Sequence, residues 1–337
     1  MPLHGESNSG GLVSVIVPVY GTAEYLGKCL QSVFRQTHTE IAVWAVDDGS
    51  TDDAARLLAE SALADARVMI VSQGNAGLSA ARNNGIALTG RNAWGVLFLD
   101  SDDWLADDAV ELLADCVREH RADLACGFRL YLSPDGKILD RTWRERFEHE
   151  SAISREEMFS IQARTLASQY TYVTGKLYRR EVVEGFRFPV GKFYEDSFCH
   201  RLYGRCGRIA FTNQTVYNYL IRFGSIANSP CDIRNLDKVE MLADRVGYFR
   251  DEGFGECSAR CLAQACRLLV ATAINISNVD KAVRQRVLEL RRMLWAEYRK
   301  SSLEVLPLLE RLRCFVSLRF FWPLYHFRRW QIWFRRR

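Results

Sequence analysis

The stretch that most restricts the fold is Val96-Leu97-Phe98-Leu99, followed at once by Asp100-Ser101-Asp102-Asp103-Trp104. Four apolar residues without alternation predict a strand buried on both faces, as in a parallel sheet. Three carboxylates then fall within four positions, where that strand should end. Like charges packed so closely repel, and burying them unpaired is costly. A divalent cation resolves the conflict, because hard Mg²⁺ or Mn²⁺ prefers carboxylate oxygen and keeps positions open for phosphate. Open α/β sheets also place their ligands beyond the carboxyl ends of strands. A solvated acidic turn capping the helix after Asp107 would account for the same residues, so the motif gains meaning only from its surroundings.

Those surroundings repeat. Val13-Ser14-Val15-Ile16-Val17-Pro18-Val19-Tyr20 is a β-branched strand, with Pro18 marking its end and Tyr20 just past its tip. Residues 23–36 carry Tyr25, Leu26, Cys29, Leu30, Val33 and Phe34 at helical spacing. Ile41 to Val46 is a second strand running into Asp47-Asp48-Gly49-Ser50-Thr51-Asp52. Capping of a helix over 53–64 by Ser50, Thr51 or Asp52 explains the later part of that loop, but does not require Asp47 and Asp48. Val68 to Ser72 is a third strand, Gly74-Asn75-Ala76-Gly77 a turn, and Leu78 to Leu88 a helix bearing Arg82. The β-α-β-α-β-α-β alternation predicts a doubly wound parallel sheet with right-handed crossovers. Three strand ends then offer Tyr20, Asp47/Asp48 and Asp100 to Asp103. An aromatic to stack on a base, carboxylates for base or ribose donors, and metal plus arginine for pyrophosphate together suit a nucleotide.

The segments VSVIVPVY, VDDGSTD, NAGLSAARNNGI and FLDSDD, in this order and spacing, closely resemble the nucleotide-binding half of family 2 glycosyltransferases. The resemblance is dense over residues 12–115. It implies the GT-A fold, a Rossmann-like, mostly parallel α/β sheet, here with a C-terminal helical extension. It also implies a nucleotide-sugar donor, a divalent metal (Mn²⁺ or Mg²⁺) and transfer with inversion. Carried over residue by residue, it puts Tyr20 and Asp48 against the nucleobase, Arg82 near base and diphosphate, and Asp100 near the ribose. Pro18 and Ser101 join the same nucleotide-sugar contacts. Asp102 falls on the metal, with Asp103 beside it. Gly21 departs from the asparagine usual after V-Y, and little consequence is expected.

The second half is less strongly patterned. Residues 107–120 predict an amphipathic helix, Asp123 to Leu132 a strand, and Pro134-Asp135-Gly136 a turn. Gly175-Lys176-Leu177-Tyr178-Arg179-Arg180 and Phe188-Pro189-Val190-Gly191 through Glu195-Asp196 resemble the K-L-Y-R and F-P-x-G…E-D segments of bacterial polysaccharide and lipopolysaccharide members of the family. The resemblance makes Asp196 the general base, with Glu195 a competing candidate. Acidity ahead of a helix over 197–203 is the plainer explanation of that pair. Tyr217 to Ile226 resembles a Y-x-Y-x-x-R-x-x-S-I segment, in which Arg222 and Ser225 either clamp the diphosphate or sit on the surface of an edge strand. The Q-x-x-R-W motif of processive members is absent.

The 337 residues suffice for one large domain with an appendage, or for two domains. The reading is a tail over 1–11, a GT-A domain over 12–230 (nucleotide half 12–115, acceptor half 116–230), helices over 231–300 and a basic aromatic tail over 301–337. Within the extension, helices are expected near 235–252, 256–276 and 280–299. Residues 1–11 are polar and Gly/Ser-rich, unlike a signal peptide, so the ten cysteines are expected as reduced thiols in the cytoplasm. Cys257, Cys261 and Cys266 lack a second pair at zinc spacing and are expected in helix packing. The net charge of +4 is mild and no nucleic-acid partner is expected, but Arg311 to Arg337 holds eight arginines and no acid. The aromatics mixed among them leave no uncharged run long enough to span a bilayer. A segment lying on an anionic inner membrane face is expected, with a tail folded back over the helices as the alternative.

The activity expected is therefore metal-dependent transfer from a nucleotide-sugar, a UDP-sugar first, to a saccharide or lipid-linked acceptor in cell-surface polysaccharide synthesis. A nucleotidyltransferase acting on sugar phosphates would show a Gly-rich loop after the first strand, where Pro18-Val19-Tyr20-Gly21 stands instead. A haloacid dehalogenase-type phosphohydrolase would carry its D-x-D on the first strand. A non-catalytic membrane scaffold would have no use for Asp102 and Asp196.

Overall fold

β1 (Leu12–Val19) is buried from Val13 onward and sits between two parallel neighbours. The computed structural model describes residues 11–139, 147, 151–166, 168–191, 198–222, 230–276 and 278–335. After β1 come α1 (Ala23–Phe34), β2 (Ile41–Asp47), α2 (Ala54–Ala64), β3 (Val68–Ser72), α3 (Leu78–Leu88) and β4 (Ala93–Phe98). Their strands lie in the order β3-β2-β1-β4, parallel throughout. The expected alternation is present. α1 buries Leu26, Cys29, Leu30 and Val33, the apolar face its spacing predicts. α3 lies so close to β1 that a Cβ on Gly85 would stand 2.3 Å from Ile16 Cγ2, so only glycine fits there.

Register sets the strand tips side by side. Val19 faces Asp47, Asp47 faces Ser72, and Leu99 N–H donates to Ile16 O at 3.0 Å. Ile16 therefore turns its peptide towards β4, and so does Pro18 two residues on. β4 pairs with β1 only as far as Phe98 opposite Ile16. The missing N–H of Pro18 thus faces a side where no ladder partner remains, while β1 continues to Val19 against β2.

The chain continues through β5 (Trp104–Leu105), α4 (Ala109–His120), β6 (Leu124–Leu132), β7 (Ala152–Ser154), α5 (Arg155–Arg164), β8 (Lys176–Arg179), α6 (Arg180–Val183), α7 (His200–Tyr203) and β9 (Arg208–Leu220). Beyond β4 the sheet runs β8-β6-β9-β5, with β7 also on β9, giving nine strands among the described residues. β8 is antiparallel to both β4 and β6, whereas β6 and β9 are parallel. Tyr217 to Tyr219 pair with β6, and Tyr217 and Asn218 also with β5, so β9 is flanked on both sides at those two residues. The turn after Ser133 closes as expected, with Gly136 N–H donating to Ser133 O at 2.8 Å and Gly136 at φ 81°.

Two compact units result. One comprises Met1–Met158, Ala167–Gly191 and Leu202–Phe223; the other Phe159–Leu166, Lys192–Arg201 and Gly224–Arg337. Three short segments of the span read as one GT-A domain over 12–230, residues 159–166, 192–201 and 224–230, group with this second unit. It contains α8 (Asp237–Asp251), α9 (Gly255–Asn275), α10 (Lys281–Lys300), α11 (Leu308–Arg319) and α12 (Phe321–Arg335). α9 is long and apolar enough to cross a membrane, yet its faces are covered by α8, α10, α11 and α12. Cys257, Cys261 and Cys266 are buried along it as packing residues. Phe321 and Tyr325 of the tail are buried too, so the tail is folded back onto the helices.

The second unit also contains a buried histidine. His200 Nε2 lies 2.9 Å from Asp244 Oδ2, and Arg201 holds the same carboxylate. Burial drives the His200 pKa down to about 4 from 6.5, outweighing the opposing pull of Asp244. Burial raises the Asp244 carboxyl, but the bonds from His200 and Arg201 outweigh that and hold it well below its ordinary range. Between pH 6.5 and about 4 the unfolded chain binds a proton that the folded one refuses, so stability is lost as pH falls through this window. Urea unfolding at pH 7 and pH 5 should differ by about 2 kcal/mol through this group. His200→Gln keeps a donor for Asp244 without the titration, and its unfolding should lose that part of the pH slope.

Candidate nucleotide-sugar site

The carboxyl edge of β3-β2-β1-β4 gathers the expected residues. Tyr20 follows β1 and is 51% exposed, an aromatic face open to solvent. Gly21 stands at φ 61°, a left-handed conformation that glycine and asparagine both tolerate, so the backbone here suits either residue. Pro18 is buried near the end of β1, two residues before Tyr20.

The two aspartates after β2 do different work. Asp47 Oδ1 accepts Ser50 N–H at 2.9 Å and so closes the turn, a local role beyond what the capping pattern required. Asp48 is buried and accepts three hydrogen bonds: Gln73 Nε2 at 2.7 Å, Ala76 N–H at 2.8 Å and Gly77 N–H at 2.8 Å. Gly77 reaches this position at φ 91°, available to glycine at little cost. The result is an anionic, fixed acceptor at the tip of β2, oriented by the loop after β3. Asp52 links the two helix starts, accepting Ala23 N–H at 2.9 Å and Ala54 N–H at 3.3 Å.

Between β4 and β5 the carboxylates separate. Asp100 Oδ1 accepts from Arg82 Nη2 at 2.7 Å, and that arginine is fully buried on α3. Ser101 Oγ shares a 2.8 Å bond with Thr22 Oγ1. Asp102 Oδ2 takes both Nε and Nη2 of Arg222, at 2.9 and 2.8 Å, and the same guanidinium lies 5.1 Å from the Tyr25 ring. Burial first, then the Asp100 charge, push the Asp102 carboxyl up, while Arg222 pulls it down. Asp103 turns the other way. It is buried, with Tyr217 Oη donating to Oδ2 at 2.7 Å and Leu220 N–H to Oδ1 at 2.8 Å. Burial, then Asp102 and Asp100, raise its pKa well above the carboxylate range.

Asp103 was expected beside Asp102 on a metal. Both its oxygens are instead committed to β9, where they fix the strand that ends at Leu220 just before Arg222. The same Tyr217 hydroxyl accepts Asp100 N–H at 3.2 Å. Arg129 of β6 backs this layer, its guanidinium 5.0 Å from the Tyr217 ring. Arg222 is thus brought onto Asp102, while Ser225, Glu195 and Asp196 lie outside the described residues.

Three contributors escaped the sequence reading. Gln73 follows the third strand, whose tip had offered no obvious ligand; a polar residue one past the strand was the available signal. Asn83 exchanges two bonds with the Phe188 backbone, donating to its O at 2.9 Å and accepting from its N–H at 2.7 Å. Phe188 in turn packs 5.7 Å from the Phe98 ring, so the F-P-x-G segment is pinned to α3 and β4. Tyr217 was read only as part of a motif, and its buried hydroxyl had no local signature.

A family model described as Glycosyl transferase family 2 matches residues 14–186. The glycosyltransferase GlyA of Streptococcus pneumoniae is 32% identical over 248 residues, 72% of this chain and 35% of that protein. GlyG of the same organism is 31% identical over 242 residues, 70% of this chain and 79% of its own length. Among solved structures, S. aureus TarS superposes with a TM-score of 0.59 at 18% identity, covering 86% of this chain and 53% of TarS. TarS 1-349 in complex with UDP-GlcNAc gives a TM-score of 0.54 over 86% of this chain and 92% of that one. At that identity the likeness shows the fold, the α/β GT-A architecture with C-terminal helices. The chain spans about a third of GlyA and about half of full TarS. With the family model covering its nucleotide-binding edge and GlyG matched over most of its length, this chain belongs to family 2 of the glycosyltransferases.

Proposed function

We propose that the chain moves a sugar from a UDP-sugar onto a hydroxyl of a saccharide or lipid-linked acceptor, with inversion, in cell-surface polysaccharide synthesis. One observation carries this reading. Tyr20, the backbone-held carboxylate of Asp48, the Arg82–Asp100 pair and Asp102 line one carboxyl edge of a parallel sheet. An open aromatic and a fixed acceptor suit a pyrimidine base, and Asp100 suits a ribose hydroxyl. The complex of TarS 1-349 with UDP-GlcNAc supports a UDP-sugar as donor. The acceptor class rests on the resemblance of the G-K-L-Y-R-R and F-P-V-G segments to polysaccharide-forming members.

Among the described residues no three His, Cys, Asp or Glu side chains group to hold a metal by themselves. Asp102, whose Oδ2 is held by Arg222, is the carboxylate we assign to Mn²⁺ or Mg²⁺, as the resemblance implies. One carboxylate completed by diphosphate oxygens is a donor set such cations use. Asp102 would hold such a cation, which would supply positive charge against the leaving diphosphate. Arg222, already on Asp102, is placed to share that charge. Asp196 is assigned the proton of the acceptor hydroxyl.

Calorimetric titration with UDP tests the reading. Chelating Mn²⁺ should weaken UDP binding at least about tenfold, some 1.4 kcal/mol. Asp102→Ala should bind UDP with the weaker affinity whether or not Mn²⁺ is present. Equal affinity in wild type with and without the metal would refute the metal-assisted site.

A further inference from the structure

The two faces of α11 are both apolar, and among the described residues only one of them is largely covered. Cys314, Ser317 and Leu318 are buried on the side that packs against α9. Leu308, Leu309, Leu312, Phe315 and Val316 recur at the spacing of a single helical stripe on the opposite side. They are exposed, Leu308 by 68%, Leu309 by 67% and Leu312 by 50%, with Phe315 at the stripe's end 6.0 Å from the Trp295 ring of α10. Scattered single apolar residues on a surface need no explanation, but a contiguous row on one helix face does.

Charge says what covers it. Arg319 sits within the stripe and Arg313 on its rim, both exposed, and Arg328 and Arg329 are exposed on α12. Arg311 borders the other side, bonded to Leu306 O at 2.8 Å. No acid occurs from Arg311 to the last residue, while eight arginines do. A second copy of the chain seated on this stripe would set arginine against arginine. An acidic protein groove would complement the arginines, but the continuous row of aliphatic and aromatic side chains with cations at its margin is the pattern of a helix lying in a lipid interface.

We propose that α11 is a membrane-docking helix, its Leu308–Val316 stripe entering the acyl boundary of an anionic bilayer and its arginines meeting lipid phosphates. This relocates the contact expected from the sequence. The aromatic residues Phe321 and Tyr325 of α12 are buried and fasten the tail to the protein, and the aliphatic row of α11 makes the insertion. The inference stands apart from the donor chemistry, because none of these residues belongs to the nucleotide site.

Flotation of the full chain with phosphatidylcholine vesicles, with and without phosphatidylglycerol, decides it. Wild type should float with the anionic vesicles and remain behind with neutral ones. Leu308→Ser with Leu312→Ser, and separately Arg313→Glu with Arg319→Glu, should each reduce binding at least about tenfold. The substituted side chains are exposed, so the fold and UDP binding should persist and serve as the control. Wild type that stays unbound on anionic vesicles overturns the proposal. So does unchanged flotation of the leucine variant, which would leave charge alone as the cause. A dimer by light scattering that the leucine variant splits, without flotation, would make the stripe a self-interface and overturn it as well.

Discussion

Asp196→Asn should lower single-turnover transfer by ~10²–10⁴-fold, the usual effect of removing a general base, with UDP-sugar affinity close to unchanged. The substitution keeps the side chain's size and removes its capacity to take a proton. That capacity is needed only once an acceptor hydroxyl attacks the anomeric carbon, so donor binding has no reason to respond. The assignment rests on the resemblance of the F-P-x-G…E-D segment, and the described start of that segment is firmly held, with Phe188 bonded to Asn83 and packed on Phe98. Glu195→Gln should be milder, since the resemblance gives the role to the second acid of the pair. Measuring transfer and donor binding for both variants separates the outcomes. A reversed ranking moves the base to Glu195. Near-normal transfer in both would reduce the acidic pair to the start of a helix and place the base elsewhere.

The nucleotide-binding half was legible because its signals are local. Unbroken apolar runs gave strands, 3.6-residue spacing gave helices, and β3 and α3 begin and end where the pattern put them. Parallel pairing then followed from the alternation, and with it the shared edge on which Tyr20, Asp48 and Asp100 meet. What the pattern could not resolve was which of three adjacent carboxylates turns inward. That choice is made by Tyr217 and Leu220, more than a hundred residues later, whose hydroxyl and N–H claim Asp103. Gln73 and Asn83 are equally non-local, since each acquires its role from a loop brought close by the sheet. The tail shows the same limit. Its composition announced arginine and aromatic residues, but only packing on α9 decides that Phe321 and Tyr325 face inward and Leu308 and Leu312 outward. In the acceptor half, β8 enters antiparallel between β4 and β6, a pairing that no periodicity encodes.

Arg82 offers the strongest separation of fold from binding. Its guanidinium is fully buried, 2.7 Å from an Asp100 carboxylate that is itself a quarter exposed. Asp100 also acts electrostatically on both Asp102 and Asp103, so this arginine is the buried counter-charge to a crowded acidic turn. Arg82→Met fills similar space without charge and leaves Asp100 facing two other acids. Breaking a buried pair from one side costs about 3–5 kcal/mol, and urea unfolding should show a loss of that size. Adding Asp100→Asn removes the stranded charge, so the double variant should regain most of the lost stability. UDP affinity should stay low in both variants, because both lack the cation that the proposed donor site assigns to the diphosphate, and the double variant also lacks the carboxylate it assigns to the ribose. A single variant within about 1 kcal/mol of wild type would show the pair to be worth no more than a surface ion pair. Recovery of UDP affinity in the double variant would show that Arg82 and Asp100 serve the fold alone, and the donor would then have to be held by Tyr20, Asp48 and Asp102 without them.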